Sequence, residues 1–131
     1  MKSQSAFTLV ELMVVVLTVG ILAAVAIPNI RGRIDAAKWS EGRAIMGTIA
    51  TSIRAYVVEK DSSFRRWPTP TQLGFASGDL DGSYFKRTDL KWIIFNDDPL
   101  IFLIWAKAPK GIRSPRWVFL DHNGNFTEWG S

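Results

Sequence analysis

Apolar side chains dominate the first thirty residues of the chain. Between Phe7 and Ile30 the one charged side chain is Glu11. Twenty-four residues in a helix extend over about 36 Å, more than the roughly 30 Å hydrocarbon core of a bilayer. Apolar residues occupy every face rather than one stripe, as is typical of a helix surrounded by lipid or by other apolar helices. The pattern predicts a membrane-spanning helix over residues 7–30 that contains one energetically costly carboxylate.

A different pattern follows in residues 31–60, where apolar side chains recur at intervals of three and four residues. This half of the helix is therefore amphipathic, and we expect it to pack on a globular head. The apolar positions of this pattern are Ile34, Ala37, Ile45, Met46, Ile49, Ile53, Tyr56 and Val57. Since Pro28 lacks an amide donor and Gly32 is a poor helix former, the helix is predicted to kink near them.

Residues 61–131 are predicted to form the head. In residues 61–89, Pro, Gly and Asp indicate a loop region that Tyr84 and Phe85 anchor on a sheet. In residues 90–131 a meander of four antiparallel strands is predicted, and an Asn-Gly pair before the last strand favours a hairpin. The predicted strands are Leu90–Phe95, Leu100–Ala106, Arg116–Asp121 and Asn125–Trp129. The fold class is therefore α+β.

Composition limits the chemistry of this head. The chain has no Cys, so packing by its 6 Trp and 8 Phe must replace disulfides. The only histidine, His122, lies in a predicted turn, and no nucleophile or phosphate-binding motif is present, which argues against an enzyme. Residues 121–125 superficially resemble a calcium loop but lack its Glu, so no cofactor is predicted and calcium is kept as an alternative.

The N-terminus resembles that of type IV prepilins and of the pseudopilins of type II secretion. The shared features, in order, are Lys2, a short polar leader, the residues FTLVE from Phe7 to Glu11, the apolar run and Pro28-Asn29. The resemblance implies that residues 1–6 are a leader, that a prepilin peptidase cuts between Ala6 and Phe7, and that Phe7 is then N-methylated. Ala6 departs from the Gly that this family nearly always has before the cut.

The resemblance also implies a pilin-like fold and a function in assembly. In a helical homo-oligomeric filament, Glu11 is thought to approach the N-terminal amine of a neighbouring subunit, which pairs two charges that are costly when buried. Other implied partners are membrane lipid before assembly and an inner-membrane assembly platform. The implied location is the bacterial inner membrane, in a single pass with the N-terminus cytoplasmic and the head periplasmic, followed by a surface pilus or a periplasmic pseudopilus.

Several functional interpretations remain open. A structural subunit of a type IV pilus-like filament is expected first, and a pseudopilin of a type II secretion system is the alternative. A secretory signal is a further interpretation, because Ala24-Val25-Ala26 satisfies the small-x-small cleavage rule. Glu11 argues against it, since this acid nearly cancels the charge of Lys2 where a signal peptide should be clearly positive.

Basic side chains suggest one more partner. The net charge is +4, and four basic residues without an intervening acid occupy a ten-residue segment. They are Lys107, Lys110, Arg113 and Arg116. Such a cluster can contact the phosphates of DNA, as in minor pilins that serve DNA uptake, or it can meet the acidic side of the next subunit in a filament. A solvated loop is the third interpretation.

Overall fold

A single long helix dominates the N-terminal half of the computed structural model. The structure describes residues 6–60 and 63–130, except for the side chains of residues 28 and 29. Helix α1 extends over Leu9–Lys60 and contains an apolar window of mean hydropathy 2.7 that is not buried, long enough to cross a membrane. It continues without a break through Pro28 and Gly32, and the kink expected there stays a prediction. The chain divides after Ile34 into two compact units.

The first unit contains the apolar part of α1. Its large apolar side chains are exposed. The exposed fraction is, for example, 75% for Leu9 and 70% for Leu22. A segment that exposes apolar side chains on all its faces requires lipid or other apolar helices around it. This agrees with the predicted membrane-spanning character of residues 7–30.

The second unit combines the rest of α1 with one four-stranded sheet, which confirms the α+β, pilin-like layout. The sheet is antiparallel and its strand order follows the chain. Its strands are β1 (Leu90–Asp97), β2 (Leu100–Lys107), β3 (Trp117–Asp121) and β4 (Phe126–Trp129). Short 3₁₀ turns at Thr71–Leu73 and Arg87–Asp89 interrupt the loop region before the sheet.

The core lies between α1 and one face of the sheet. From the helix it receives Met46, Ile49, Ala50, Ile53, Tyr56 and Val57 together with Trp39, which the sequence pattern missed. Ile34 and Ala37 were wrongly placed on this face, because Ile34 is 47% exposed and Ala37 is exposed. At about 100° per residue they lie roughly 140° and 160° away from Trp39 around the helix axis. The buried helix face therefore begins at Trp39.

The six tryptophans, which were expected to stabilise the head by packing, differ in burial. Trp39 and Trp92 are buried, whereas Trp67 and Trp129 are more than half exposed. The other two are half-buried on the sheet face that points away from the core. An antiparallel sheet usually has polar side chains on its outer face, but here β1, β2 and β3 alternate between buried and partly exposed apolar residues. Both faces of this sheet are therefore largely apolar.

The loop region contacts both the helix and the sheet, and Tyr84 and Phe85, which were predicted to anchor it on the sheet, contact residues of the helix. The Phe85 ring is buried and lies 4.8 Å from the Trp39 ring, measured between centroids. Tyr84 stays about half exposed, with the Lys38 ammonium 5.4 Å from its ring centroid. A second attachment is made by Trp92, whose indole N–H donates to the Pro68 carbonyl oxygen over 2.9 Å.

Candidate functional site

Reciprocal hydrogen bonds between Thr8 and Glu11 fix the start of α1. The Thr8 backbone N–H and hydroxyl donate to Glu11 Oε2 over 3.0 and 2.9 Å, and the Glu11 N–H donates to Thr8 Oγ1 over 3.2 Å. This capping box satisfies N–H groups that have no acceptor within the helix. Glu11 thus has a local structural role that our sequence analysis missed, although the T-x-x-E spacing indicates it.

The predicted cleavage site lies immediately before this cap. Neither Ala6 nor Phe7 belongs to the helix, and both are exposed, Phe7 to 81%. Exposed segments outside regular structure are the sites where proteases most readily cut a chain. The start of α1 at Leu9 therefore leaves the bond between Ala6 and Phe7 accessible. Cleavage at this bond, methylation of Phe7 and the assembly role of Glu11 stay predictions.

In the head, Glu41 binds the loop region through its carboxylate. The backbone N–H of Ser83 donates to Oε2 over 3.1 Å, and those of Tyr84 and Phe85 donate to Oε1 over 2.8 and 2.9 Å. The pKa of Glu41 lies below its ordinary value, and the Phe85 N–H is the largest cause. The other two N–H groups and the Lys86 ammonium lower this pKa further, whereas partial burial of the carboxylate raises it. A lone Glu on the helix gave no signal of this role in the sequence.

The loop between β2 and β3 is also fastened to the helix. The Trp39 indole N–H donates to the Pro115 carbonyl oxygen over 3.1 Å. Asp35 Oδ2 accepts a hydrogen bond from the Arg113 backbone N–H over 3.0 Å. These contacts hold the backbone of the loop that contains the predicted basic cluster.

Three of the four predicted basic residues meet at one surface cleft of about 420 Å³. Lys107, Lys110 and Arg116 line it together with Trp117, and all three basic side chains are exposed. Arg113 does not line this cleft. The structure therefore concentrates positive charge at the end of β2 and the start of β3, whereas contact with DNA stays a prediction.

The segment considered as a calcium loop forms the β3–β4 turn. Asp121 Oδ1 accepts hydrogen bonds from the backbone N–H groups of Asn123 and Asn125 over 2.9 and 2.8 Å. The Asn125 N–H is the main cause that lowers the pKa of Asp121 below its ordinary value. In the part of the chain that the structure describes, no three His, Cys, Asp or Glu side chains form a group that could hold a metal. Asp121 therefore has a structural role in this hairpin.

Comparison with known proteins gives a match at the N-terminus. Residues 1–27 match the family described as the prokaryotic N-terminal methylation motif. The match includes the cap at Thr8 and Glu11 and the predicted cleavage site at Ala6 and Phe7.

Similarity to individual proteins extends into the head. The chain is 40% identical over 91 residues to the type IV major pilin protein PilE1 of Neisseria gonorrhoeae, an alignment that covers 67% of this chain and 53% of the pilin. It is 39% identical over 93 residues to the type IV major fimbrial protein FimA of Dichelobacter nodosus, covering 68% and 58%. It is 40% identical over 58 residues to the type II secretion system core protein G of Pseudomonas aeruginosa, covering 44% and 41%.

These alignments are partial on both sides. The chain spans about half the length of the curated relatives it matches. No solved structure gave a significant match to it.

Proposed function

We propose that this chain, which carries the N-terminal methylation motif and is similar to type IV pilins and to a type II secretion core protein, is a filament subunit. It is inserted in the inner membrane as a precursor, cut between Ala6 and Phe7, methylated at Phe7 and polymerised through α1. The observation that carries this proposal is the N-terminal geometry: an exposed non-helical segment directly precedes a capped apolar helix with a lone carboxylate at Glu11.

Between the two kinds of filament, we propose a type IV pilus-like fibre. The alignments with a pilin and a fimbrial protein cover 67% and 68% of this chain, whereas the alignment with core protein G covers 44%. The similarity to the pilins therefore covers more of this chain than the similarity to core protein G. Capture of the chain in extended surface fibres, rather than in a periplasmic assembly with a secretion system, would support this choice.

Glu11 is proposed to pair with the mature amine of a neighbouring subunit. Its Oε2 atom is already occupied by Thr8, whereas Oε1 accepts no hydrogen bond from the part of the chain that the structure describes. A carboxylate in an apolar environment needs a cationic partner to offset its desolvation, and the N-terminal amine of a second subunit provides one. This pairing would fix the axial register between neighbouring helices.

The intact mass of the protein recovered from membranes tests the processing step. We expect loss of residues 1–6 and one added methyl group on Phe7. A mature chain beginning at Ile27 would instead establish the secretory interpretation and contradict the proposal. A variant with Phe7→Asp changes the residue after the cut and retains Thr8 and Glu11, and we expect it to accumulate as precursor.

The proposed orientation has the head in the periplasm. Arg31, Arg33 and Lys38 follow the apolar segment whereas Lys2 precedes it, so the distribution of basic residues does not favour a cytoplasmic N-terminus. The orientation therefore rests on the similarity to prepilins. A reporter enzyme that is active only after export, fused behind Ser131, is expected to be active. Activity of a cytoplasm-specific reporter at the same position would contradict the orientation.

A further inference from the structure

The basic cleft defined by Lys107, Lys110 and Arg116 lies at one end of the head sheet. β2 ends at Lys107 and β3 begins at Trp117, so the cleft is built where these two neighbouring strands meet the connecting loop. Within residues 6–60 and 63–130 the ion pairs are Arg43 with Glu128 and Lys60 with Glu59. None of the three cleft cations therefore has an acidic partner among the described residues.

An acidic turn lies at the opposite end of the same sheet, where β1 is connected to β2. This acidic turn is formed by Asp98 and Pro99 together with Asp97, the last residue of β1, and Asp98 and Pro99 are exposed. The Asp98 backbone N–H donates to Asp97 Oδ1 over 3.1 Å, and the side-chain amide of Asn96 donates to the Asp98 carbonyl oxygen over 2.8 Å. These bonds give the turn a defined shape. Neither acid takes part in an ion pair in the described part of the chain.

The two features cannot meet within one chain. They are separated by the length of β2, from Leu100 to Lys107. Eight residues at about 3.3 Å each place the ends of the strand roughly 23 Å apart. A second copy displaced along the strand direction, however, brings its acidic turn to the basic cleft of the first copy. Such a contact is heterologous, and repeated contacts of this kind build an open filament rather than a closed dimer.

We propose that the basic cleft of one subunit binds the Asp97-Asp98 turn of the next copy of this chain. The inference rests on the proposed filament function and adds to it a contact between heads, distinct from the contact between apolar helices. Charge complementarity favours this occupant, since it pairs cations and acids that each chain leaves without partners. Opposite charges at the two ends also disfavour contacts between identical ends.

Nucleic acid is the competing occupant, and the cleft fits it less well. Single strands bind where bases stack on aromatic faces beside a basic groove. Trp117 is the aromatic residue of the cleft, and the Lys107 ammonium lies 5.7 Å from its ring centroid. A base that stacks on this ring therefore competes with the Lys107 ammonium. Arg113, the fourth cation of the cluster, does not line the cleft.

Cysteine cross-linking of assembled filaments tests the contact, because the native chain contains no Cys. The test variant combines Asp98→Cys with Lys110→Cys in the full chain, leaving the other charges of both surfaces in place. A short bismaleimide reagent is preferred to oxidation, since a disulfide requires Cα atoms within about 7 Å. We expect a ladder of dimers, trimers and higher multimers on denaturing gels, whereas either single variant can form dimers at most.

The matched control combines Asp98→Cys with Asn123→Cys. Asn123 is exposed in the β3–β4 turn, and both thiols then lie at the acidic end of the sheet. We expect no multimer ladder from this pair. Filaments that assemble without a ladder from the test pair would overturn the head contact and leave the filament function intact. Absence of filaments from the unmodified, processed protein would overturn both proposals.

Charge exchange provides a test that does not depend on cross-linking. We expect Asp98→Lys alone and Lys110→Asp alone each to reduce the yield of filaments several-fold, and the combined exchange to restore it. No reduction from either single variant would contradict the contact. Labelled single-stranded DNA added to filaments at about 0.15 M salt gives the third measurement. DNA binding that Lys110→Asp abolishes, without a cross-linked ladder from the test pair, would assign the cleft to nucleic acid and overturn the proposal.

Discussion

Gly82 lies so close to the Glu41 carboxylate that a Cβ atom at position 82 would overlap Oε1 and Cδ of that side chain. The same carboxylate accepts hydrogen bonds from the backbone N–H groups of the three residues that follow Gly82. The loop thus closes around a helix side chain and requires a residue without Cβ for this close approach. The pairing of Glu41 with Gly82 therefore connects the helix to the loop region.

Gly82→Ala should destabilise the head by displacing the Glu41 carboxylate from its three donors. We expect a loss of about 1–3 kcal/mol in the free energy of unfolding, since the loop N–H groups lose charged acceptors. In a Glu41→Ala background the same substitution should cost little, because the carboxylate that the new methyl group displaces is gone. Urea unfolding of the detergent-solubilised full chain, followed by tryptophan fluorescence, measures this double-mutant cycle. Strictly additive effects would show that Gly82 and Glu41 do not interact.

Acid should weaken the head in part through Glu41. Its carboxyl pKa in the folded chain lies below the ordinary value of 4.5, chiefly because of the Phe85 N–H. The folded state therefore binds the proton less readily than the unfolded state, and the stabilisation is complete above that ordinary value and is lost as pH falls through the lower folded pKa. The stability difference between the native chain and Glu41→Gln should be constant near neutral pH and shrink in acid.

A matched control for this pH dependence is Glu59→Gln. Glu59 is exposed near the end of α1 and, among the described residues, its side chain bonds only Lys60. This variant retains Glu41 and its three donors, so it should retain the Glu41-dependent loss of stability in acid. A difference between the native chain and Glu41→Gln that stays unchanged from neutral pH to the acid unfolding of the chain would refute the assignment to Glu41.

Two helix glycines should respond in opposite ways to the same substitution. At Gly42 a Cβ atom would lie 2.9–3.1 Å from the ring of Phe85, which is completely buried. We expect Gly42→Ala to cost about 1–3 kcal/mol through overpacking, partly offset by the better helix propensity of Ala. At Gly47 no atom lies within 4 Å of such a Cβ, and Gly47→Ala should stabilise by up to about 1 kcal/mol. Equal changes in melting temperature would contradict the close contact with Phe85.

Substitutions at Glu11 should separate its two roles. Gln preserves a capping box but has no charge, whereas Ala removes both the cap and the charge. If charge pairing with a neighbouring amine drives assembly, Glu11→Gln and Glu11→Ala should both insert in the membrane, undergo processing and yield few filaments. Electron microscopy and the intact mass of the membrane fraction measure the two steps. Normal filament numbers from Glu11→Gln would leave Glu11 with a capping role alone.

Local sequence patterns were sufficient to predict the main elements. The continuous apolar run predicted the exposed apolar part of α1, and alternating apolar residues between turn signals predicted four strands that the structure places in chain order. Strand ends shifted by up to two residues: β1 continues to Asp97 and β4 begins at Phe126. Patterns of period two and of helical period depend on near neighbours, so they are readable without the fold.

Three-dimensional contacts decided the rest. Glu41 and the N–H groups of residues 83–85 are more than forty positions apart. Nothing in the sequence around Glu41 reveals which N–H groups donate to its carboxylate. Trp39 was missed for the same reason, since its partners Phe85 and Pro115 are distant along the chain. The sequence by itself determined the apolar N-terminal helix, its lone acid and the sheet. Only the tertiary structure decided which cations share the cleft and which Trp are buried, because folding sets the distances between residues that are remote in sequence.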